Sequence, residues 1–359
     1  MRLYIMTVAI YKADSELYAN VAAEKQALAK VKDKLATQFI VLVEGDHSEE
    51  NRIYTHNAAD EIRGILAIDR ALNALNFNYK RVASTDAKIK DYLAVADYVF
   101  IYAQGEYGED GRIQGWLDYL SVDYPGPGVA ASAICCDKLY FKHVMKSAGV
   151  STAAYYEMSE DETLDSLLTK ASLLEYPVMM KERQGGSSLG ITLIKNDSEL
   201  TRWLTEGCPK GASSYFMEKY IAGTFATVGI IQLSTGYYVL PVLTARTEAP
   251  FYDAELKLGK SKNAIHYSLG GNFSPQQQRL KEAAWQAFAH TGCEGISRVD
   301  MMIQGEDIFV LEINTVPGIS HGGNFTQMFT SFGFSYDEMI LAIMNTAFLK
   351  HTSQADKTA

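Results

Sequence analysis

The segment GISRVDMMIQGEDIFVLEINTVPG (residues 295–318) contains two apolar runs separated by the turn residues Gly305, Glu306 and Asp307. Apolar runs of this length around a short turn predict a β-hairpin. With Glu306 at its centre, alternation along the strands sorts the side chains onto two faces. The polar face carries Arg298, Asp300, Glu312 and Asn314, and the apolar face carries Val299, Met301, Leu311 and Ile313. In this register Asp300 faces Glu312 and Arg298 faces Asn314.

The opposed carboxylates of Asp300 and Glu312 repel each other, and burying them is costly unless a cation neutralises them. Mg²⁺ prefers hard oxygen ligands, so one interpretation is a magnesium site formed by Asp300, Glu312 and Asn314. The other is a structural network in which Arg298 is shared by both acids and Asn314 caps a turn. The hairpin alone leaves both interpretations open.

A second informative segment is YPVMMKERQGGSSLGI (residues 176–191), in which Lys181 ends an apolar strand and a loop of glycines and serines follows. Glycines let backbone N–H groups approach an anion, and a lysine adds a point charge, so the segment predicts a phosphate loop. It lacks the GKS or GKT of a Walker loop, and a strand follows it. A hairpin turn that binds no ligand remains the alternative.

Bulk properties narrow the function class. At 359 residues the chain is long enough for two or three domains, and its net charge of −10 makes nucleic acid and membrane surfaces poor partners. The apolar opening RLYIMTVAI (residues 2–10) is too short to span a membrane, and we interpret it as a buried strand. The four cysteines, including the neighbours Cys135 and Cys136, lack disulfide or metal spacing, which favours a reducing cytoplasm.

The order of apolar runs and helical patterns predicts an α/β protein. The turn cluster DYPGPG (residues 123–128) marks the first domain boundary. We predict an N-terminal domain over 1–126, a central domain over 127–215 and a C-terminal domain over 216–350, followed by a disordered tail over 351–359. Residues 246–272 are polar with little periodicity, which predicts a lid loop.

Individual elements follow from the same patterns. We predict helices over 13–35, 58–75, 137–149 and 161–174, and helices opening at Asp197, Ser274 and Ser335. We predict strands over FIVLVEG, DYVFIYAQG, PVMMK, ITLIK, FATVGIIQL and YYVLPVLTA, the last two joined as a hairpin by a Ser-Thr-Gly turn.

Six segments occur in one order along the chain: QGEYGEDGRIQGWL, SAICCDK, KERQGGSSLG, MEKYIAG, GISRVDM and LEINTVPG. Together they resemble the motif series of the D-alanine:D-alanine ligase family of ATP-grasp enzymes, over roughly residues 97–350. The resemblance implies an ATP-grasp fold with an N-terminal Rossmann-like (pre-ATP-grasp) domain, three domains in all, and ATP between the second and third. It also implies one or two Mg²⁺ ions, with Mn²⁺ as a substitute.

The resemblance implies roles for individual residues. Lys138 and Lys181 would bind the α and β phosphates, and Ser187, Ser188 and Lys257 would lie near the γ phosphate. Glu218 would accept the adenine amino group, with Lys219 and the Ile221 backbone at other ring positions. Asp300, Glu312 and Asn314 would bind Mg²⁺, and Arg298 and the Gly318 amide would form an oxyanion site. Ser187 also belongs to the family's Ser-Tyr-Glu arrangement.

The substrate end departs from the family pattern. The lid tyrosine falls on Leu258, the serine for the second substrate's carboxylate falls on Gly323, and a histidine is replaced by Gln104. The ribose-binding glutamate falls on Phe225, and residues 1–36 have no placed counterpart. The glutamate for the first substrate's ammonium has several candidates, and His321 lies beside the predicted active-site turn. The candidates are Asp60, Glu61, Glu44 and Glu49, and His56 is a weaker substrate contact.

These departures shape the functional prediction. We expect a carboxylate-amine ligase that forms a peptide or amide bond through an acyl phosphate, acting on small carboxylic acids or amino acids with a non-standard second substrate. A genuine D-alanine:D-alanine ligase and a catalytically weak nucleotide-binding regulatory protein are the alternatives. Dimerisation is typical of the resembling family, so a homodimer is an open alternative to a monomer.

Overall fold

Three β-sheets follow one another along the chain in the computed structural model, which describes residues 12, 14–45, 64–185, 190–206, 211–247, 265–270 and 274–355. Helices pack against each sheet, so the protein is mixed α/β, as the sequence pattern predicts. We refer to the regions around these sheets as the first, second and third parts of the chain.

The first part is built on a parallel sheet with strand order β2-β1-β3. Its elements are α1 (Asp14–Leu35), β1 (Phe39–Glu44), α2 (Gly64–Ala74), β2 (Asn78–Ala83), α3 (Ile89–Ala94), β3 (Tyr98–Tyr102) and α4 (Arg112–Leu120). Alternate residues of the central strand enter different cores, Ile40 with α1 and α2, and Val41 with α3 and α4. Both faces of this sheet are therefore covered, as its apolar strands predict.

The second part is built on an antiparallel sheet with strand order β4-β7-β5-β6. Its elements are α5 (Val129–Cys136), α6 (Lys138–Ser147), β4 (Tyr155–Glu157), α7 (Leu164–Leu174), β5 (Val178–Glu182), β6 (Thr192–Ile194), α8 (Asp197–Glu206) and β7 (Tyr215–Lys219). Helices α7 and α8 cover one face through Leu167, Leu200 and Trp203. The predicted helices and strands of this region are confirmed.

The third part is built on a six-stranded antiparallel sheet with strand order β11-β10-β8-β12-β13, in which β9 also pairs with β8. Its elements are β8 (Thr224–Leu233), β9 (Gly236–Val239), β10 (Leu243–Thr247), β11 (Ile265–Leu269), α9 (Pro275–His290), β12 (Ile296–Gln304), β13 (Asp307–Asn314), α10 (Asn324–Thr330) and α11 (Tyr336–Ala355). Helix α9 covers one face, and its residues Ala284, Trp285 and Phe288 share a core with Val299.

The prediction that YYVLPVLTA forms one strand is wrong, because the regular strand pairing is interrupted at Leu240, Pro241 and Val242. Proline has no N–H for a strand ladder, so β9 ends before it and β10 begins after it. The predicted turn is confirmed, since Leu233 pairs with Gly236 across Ser234 and Thr235.

The end of the chain also differs from prediction. Helix α11 continues to Ala355, so the prediction of disorder is wrong for residues 351–355. Its start is a complete capping box, in which Ser335 N donates to Glu338 Oε2 (2.7 Å) and Glu338 N donates to Ser335 Oγ (3.1 Å). Strand β11 occupies part of the predicted lid, whose residues 248–264 and 271–272 lie outside the described ones.

In the central hairpin, the predicted register is confirmed for the polar residues and is wrong between Met301 and the turn. Asp300 pairs with Glu312 and Arg298 with Asn314. The turn is one residue shorter than predicted, because Gln304 pairs with Asp307. A β-bulge after Asp300 shifts the pairing by one residue between the turn and Asp300. As a result, Val310 rather than Leu311 enters the apolar core.

Helix α1 lies outside the region of family resemblance, yet it docks tightly on the third part. The Glu24 carboxylate, 1% exposed, accepts four hydrogen bonds of 2.7 to 3.1 Å from the N–H and hydroxyl groups of Ser234 and Thr235. At its first turn, Asp14 pairs with Lys281 Nζ at 2.6 Å, and both residues are buried. Among the described residues, no helix has the length and apolar character needed to cross a membrane.

We predict that Glu24→Ala lowers the free energy of unfolding by about 1–3 kcal/mol, because the buried carboxylate and its four hydrogen bonds to the β8–β9 turn are lost. Urea denaturation followed by circular dichroism measures this change. The matched control is Asp33→Ala, an exposed carboxylate on the same helix, for which a change within about 0.5 kcal/mol is expected. Equal effects of the two substitutions would contradict the assigned role of Glu24.

Candidate active site

An open cleft lies where the three parts of the chain meet. The residues that matter here are Glu109, Cys136, Lys138, Gly185, Glu312 and Asn314. Glu109 comes from the loop before α4, Lys138 begins α6, Gly185 follows β5, and Glu312 and Asn314 end β13. The cleft thus brings together Lys138, Glu312 at the end of β13, and Gly185 at the start of the predicted phosphate loop.

Asp300 lies on β12 next to this cleft and is only 2% exposed. Thr227 Oγ1 donates to its Oδ1 at 2.6 Å, and Asn314 Nδ2 donates to its Oδ2 at 3.1 Å. Arg298, two residues earlier on the same strand face, forms two further hydrogen bonds of 3.0 and 2.9 Å. Four donors therefore hold the Asp300 carboxylate in one orientation.

Glu312 forms an ion pair with Lys138, whereas Asp300 forms one with Arg298. Lys138 Nζ lies 3.2 Å from Glu312 Oε2, and it also donates to the carbonyl oxygen of Gly185. The structure therefore gives Glu312 a cation, Lys138, that the ion-pair alternative did not include. Because Lys138 belongs to α6, this pair joins the second part of the chain to the hairpin.

The donor set on the hairpin fits a hard divalent cation. Asp300, Glu312 and Asn314 lie on one face of β12 and β13, and the amide nitrogen of Asn314 is used by Asp300, which leaves its carbonyl oxygen to face a cation. Within the described ranges, no group of three or more His, Cys, Asp or Glu side chains is placed to bind a metal. Two carboxylates and one amide oxygen would leave positions for water and phosphate oxygens, as Mg²⁺ prefers.

The loop before α4 is tied to the turn that follows β13. Glu109 accepts from Val316 N at 2.9 Å and from Gly105 N at 2.8 Å. Gln104 Nε2 donates to Val316 O at 3.3 Å and lies 3.7 Å from the position that a Cβ atom on Gly318 would take. The structure therefore places Gln104 beside Gly318, the predicted oxyanion donor.

Lys138 is held by the start of its helix. The side chain of Asp137 caps α6 by accepting from Leu139 N (3.0 Å) and Tyr140 N (3.3 Å). Arg183 donates to the same carboxylate, with the shortest contact at 2.7 Å, and Lys138 N donates to Arg183 O at 2.9 Å. The loop after β5 is thus fastened to the helix that presents Lys138.

Glu218 on β7 is 2% exposed and lies between two lysines. Lys181 contacts Oε1, and Lys142 Nζ lies 2.8 Å from Oε2. Burial by itself would raise the pKa of Glu218, but the two ammonium groups lower it below its usual value. The two lysines contact its side chain, and the role of Glu218 as acceptor for an adenine amino group stays a prediction. Lys219 pairs with Glu175 at 3.0 Å, and Ile221 is buried just beyond β7.

The predicted substrate residues are only partly brought together. Gly323 is the N-cap of α10, and His321, which is exposed, packs its ring 4.2 Å from that of Tyr336. Glu44 ends β1 and forms an ion pair with Arg81 at 2.6 Å, which makes it a weaker candidate for a substrate ammonium. Phe225 is buried on β8, so it supplies no polar ribose contact.

Several predicted residues lie outside the described part of the chain, so their roles stay predictions. They are Glu49, His56, Asp60, Glu61, Ser187, Ser188, Lys257 and Leu258.

Three residues of the site were not predicted. Thr227 lies opposite Asp300 in the β8–β12 ladder, a pairing between distant segments that leaves no local signal. Glu109 is part of the GEDG segment, but its contact with Val316 joins positions 207 residues apart. Lys142 follows Lys138 by one helical turn, and this spacing could have placed both on one face of α6.

The fold and the cleft together define an ATP-grasp enzyme, and comparisons with known proteins agree. The family model described as "D-ala D-ala ligase C-terminus" matches residues 144–345. A D-alanine–D-alanine ligase of Thermotoga petrophila is 32% identical over 87% of this chain and 98% of its own length. One from Buchnera aphidicola is 30% identical over 85% of this chain and 97% of its own length.

Solved structures show the same fold. A D-alanine–D-alanine ligase from Bacillus anthracis, complexed with ATP, has a TM-score of 0.73 at 22% identity, covering 89% of this chain and all of its own. The VanG D-Ala:D-Ser ligase from Enterococcus faecalis has a TM-score of 0.69 at 20% identity, covering 86% of this chain and 99% of its own. The chain belongs to the D-alanine–D-alanine ligase family, and it is an ADP-forming ATP-grasp ligase that forms C–N bonds.

We predict that Glu312→Gln lowers the rate of ADP formation by at least about 100-fold, because one of the two hairpin carboxylates loses its charge. A coupled assay of ADP release measures the rate, and Mn²⁺ binding followed by electron paramagnetic resonance should weaken in parallel. Glu306→Gln is the control, since Glu306 lies at the exposed tip of the same hairpin and is 87% exposed. Full activity of the Glu312 variant would exclude a metal role for this residue.

Proposed function

We propose that this enzyme couples a small carboxylic acid or amino acid to an amine through an acyl phosphate, with a second substrate other than D-alanine. The observation that carries the proposal is the polar face of the hairpin, where Asp300, Glu312 and Asn314 adjoin Lys138 and the Gly318 turn. This arrangement combines cations for phosphate, acids for Mg²⁺ and a backbone N–H for an oxyanion.

In this proposal ATP lies between the second and third sheets. Lys138 and Lys181 bind its phosphates, and the main chain near Glu218 and Ile221 binds adenine. Asp300, Glu312 and Asn314 would hold one or two Mg²⁺ ions, or Mn²⁺, which supply positive charge for the phosphates when bound. The division into domains at residues 126 and 215 is part of the same proposal.

The chemistry proceeds in two steps. A carboxylate oxygen of the first substrate attacks the γ-phosphorus of ATP and forms the acyl phosphate. The bond between the γ-phosphorus and the bridging oxygen breaks, and ADP leaves with its electrons. The amine of the second substrate then attacks the acyl carbon, and inorganic phosphate leaves with the bonding electrons while the amine loses a proton. The Gly318 N–H and Arg298 stabilise the oxyanion between these events, at about 3–4 kcal/mol for each donor.

The surroundings of Gly323 support a second substrate that differs from D-alanine. A Cβ atom at this position would lie 3.0 Å from Gly318 O and 3.1 and 3.2 Å from Ser320 O and N. These contacts are backbone atoms of a tight turn, so a serine would fit here only if the turn shifted. Position 323 therefore carries no hydroxyl for that carboxylate, and the close backbone atoms disfavour a serine there. A second candidate, genuine D-alanine–D-alanine ligation, is favoured by the relatives of that name at 30–32% identity.

We expect that phosphate release, measured over a panel of paired amino acids and carboxylic acids, is faster with a pair other than two D-alanines. Mass spectrometry of the products identifies the bond formed. The panel includes D-serine, larger amino acids of both chiralities and simple amines as second substrates. If two D-alanines give the dipeptide at the highest rate, the specificity part of the proposal is wrong and the second candidate is correct.

A substitution at Gly323 tests the steric argument separately. Gly323→Ser is expected to lower stability by about 1–3 kcal/mol without improving the use of D-alanine, because the turn must open to admit the side chain. Thermal unfolding and the KM for D-alanine are the two measurements. Gly322→Ser is the neighbouring control, since a Cβ atom at Gly322 meets nothing within 4 Å.

A further inference from the structure

Lys142 is a charged side chain with no part in the proposed chemistry, yet it is only 1% exposed. It lies one turn after Lys138 on α6 and points into the second part of the chain. Its ammonium donates to Thr152 Oγ1 at 2.8 Å and to Ala153 O at 3.3 Å, and it lies 2.8 Å from Glu218 Oε2. A lysine this deeply buried needs a reason, because desolvation of its charge is costly.

The contacts of Glu218 suggest the reason. Its two oxygens are divided between two lysines, with Lys142 on Oε2 and Lys181 on Oε1. Lys142 is fully enclosed, whereas the Lys181 side chain is 14% exposed at the end of the strand that leads into the Gly185 loop. The inner lysine therefore contacts Glu218, Thr152 and Ala153, whereas the outer one is partly exposed to solvent.

Counting charges shows what the inner lysine changes. Glu218 with Lys181 alone would be a neutral pair, and the carboxylate would hold the outer ammonium tightly. With both lysines protonated, adding Lys142 gives the group of three a net charge of +1, and Lys142 takes part of the carboxylate's attraction away from Lys181. In a low-dielectric site such a difference strongly affects how well the group attracts a phosphate.

We infer that Lys142 is a positioning residue for the nucleotide: by sharing Glu218, it loosens the hold of that carboxylate on Lys181 and leaves the Lys181 ammonium available to the phosphates. The inference rests on the proposed function, since it assumes that Lys181 binds phosphate. Its direct consequence is that loss of Lys142 weakens binding of phosphate-bearing nucleotides and leaves adenosine binding unchanged.

The experiment compares binding of ADP and adenosine by calorimetry in the presence of Mg²⁺. For Lys142→Met we expect the Kd for ADP to rise about tenfold, while the Kd for adenosine stays within about twofold. With ATP as substrate, KM should rise by a similar factor and kcat should change less than about threefold. The control is Lys146→Met, an exposed lysine one turn further along α6, for which neither Kd should change.

A double variant separates this role from a structural one. Lys142→Met with Glu218→Gln removes both buried charges and leaves the charge of Lys181, so ADP affinity should return to within about threefold of the wild-type value. A purely structural role would make the double variant as weak as Lys142→Met or weaker. If Lys142→Met does not fold, the double variant decides alone, because it leaves no unpaired buried charge.

The inference is overturned if folded Lys142→Met binds ADP normally, if ADP and adenosine weaken equally, or if the double variant recovers nothing. Failure of the proposed function has a different signature. In that case the wild-type protein binds ADP but forms no product with any substrate pair, and the effect of Lys142 on ADP binding is still measurable.

Discussion

The antiparallel pairing of Asp300 with Glu312 is the interaction on which the site depends. Two carboxylates that face each other across a hairpin must each be neutralised, and the protein uses cations from different segments of the chain. Arg298 comes from the same strand as Asp300, whereas Lys138 comes from α6 in the second part of the chain. Neutralising Glu312 therefore also brings the helix that carries Lys138 to the hairpin, and this forms the cleft.

The same arrangement recurs at Glu218, where one buried acid is paired with Lys142 and Lys181. In both places a carboxylate on a β-strand holds a lysine that we assign to phosphate binding. Lysine side chains are flexible, and an ion pair restricts them before a ligand arrives. The cations of the cleft are thus positioned by the protein itself, and the apolar cores mainly set the distance between the strands that carry the acids.

Much of this could be predicted from local pattern. The register of the hairpin follows from the alternation of polar and apolar side chains along its strands. The confirmed strands and helices follow from the spacing of their apolar residues and from capping residues such as Asp137 and Ser335. Prediction failed where two local signals compete. Pro241 interrupts a run that is otherwise apolar enough for one strand, and β2, with the polar sequence NYKRVA, pairs with β1 despite lacking an apolar run.

The sequence by itself determined the hairpin, the order of the motifs and hence the family, because these depend on residues close together in the chain. Only the tertiary structure decided which cation serves which acid, and that Thr227, Glu109 and Lys142 belong to the site. It also decided that position 323 lies in a turn whose backbone atoms crowd a Cβ atom. These facts arise from contacts between segments far apart in sequence, and such contacts are set by the packing of sheets and helices rather than by local preference.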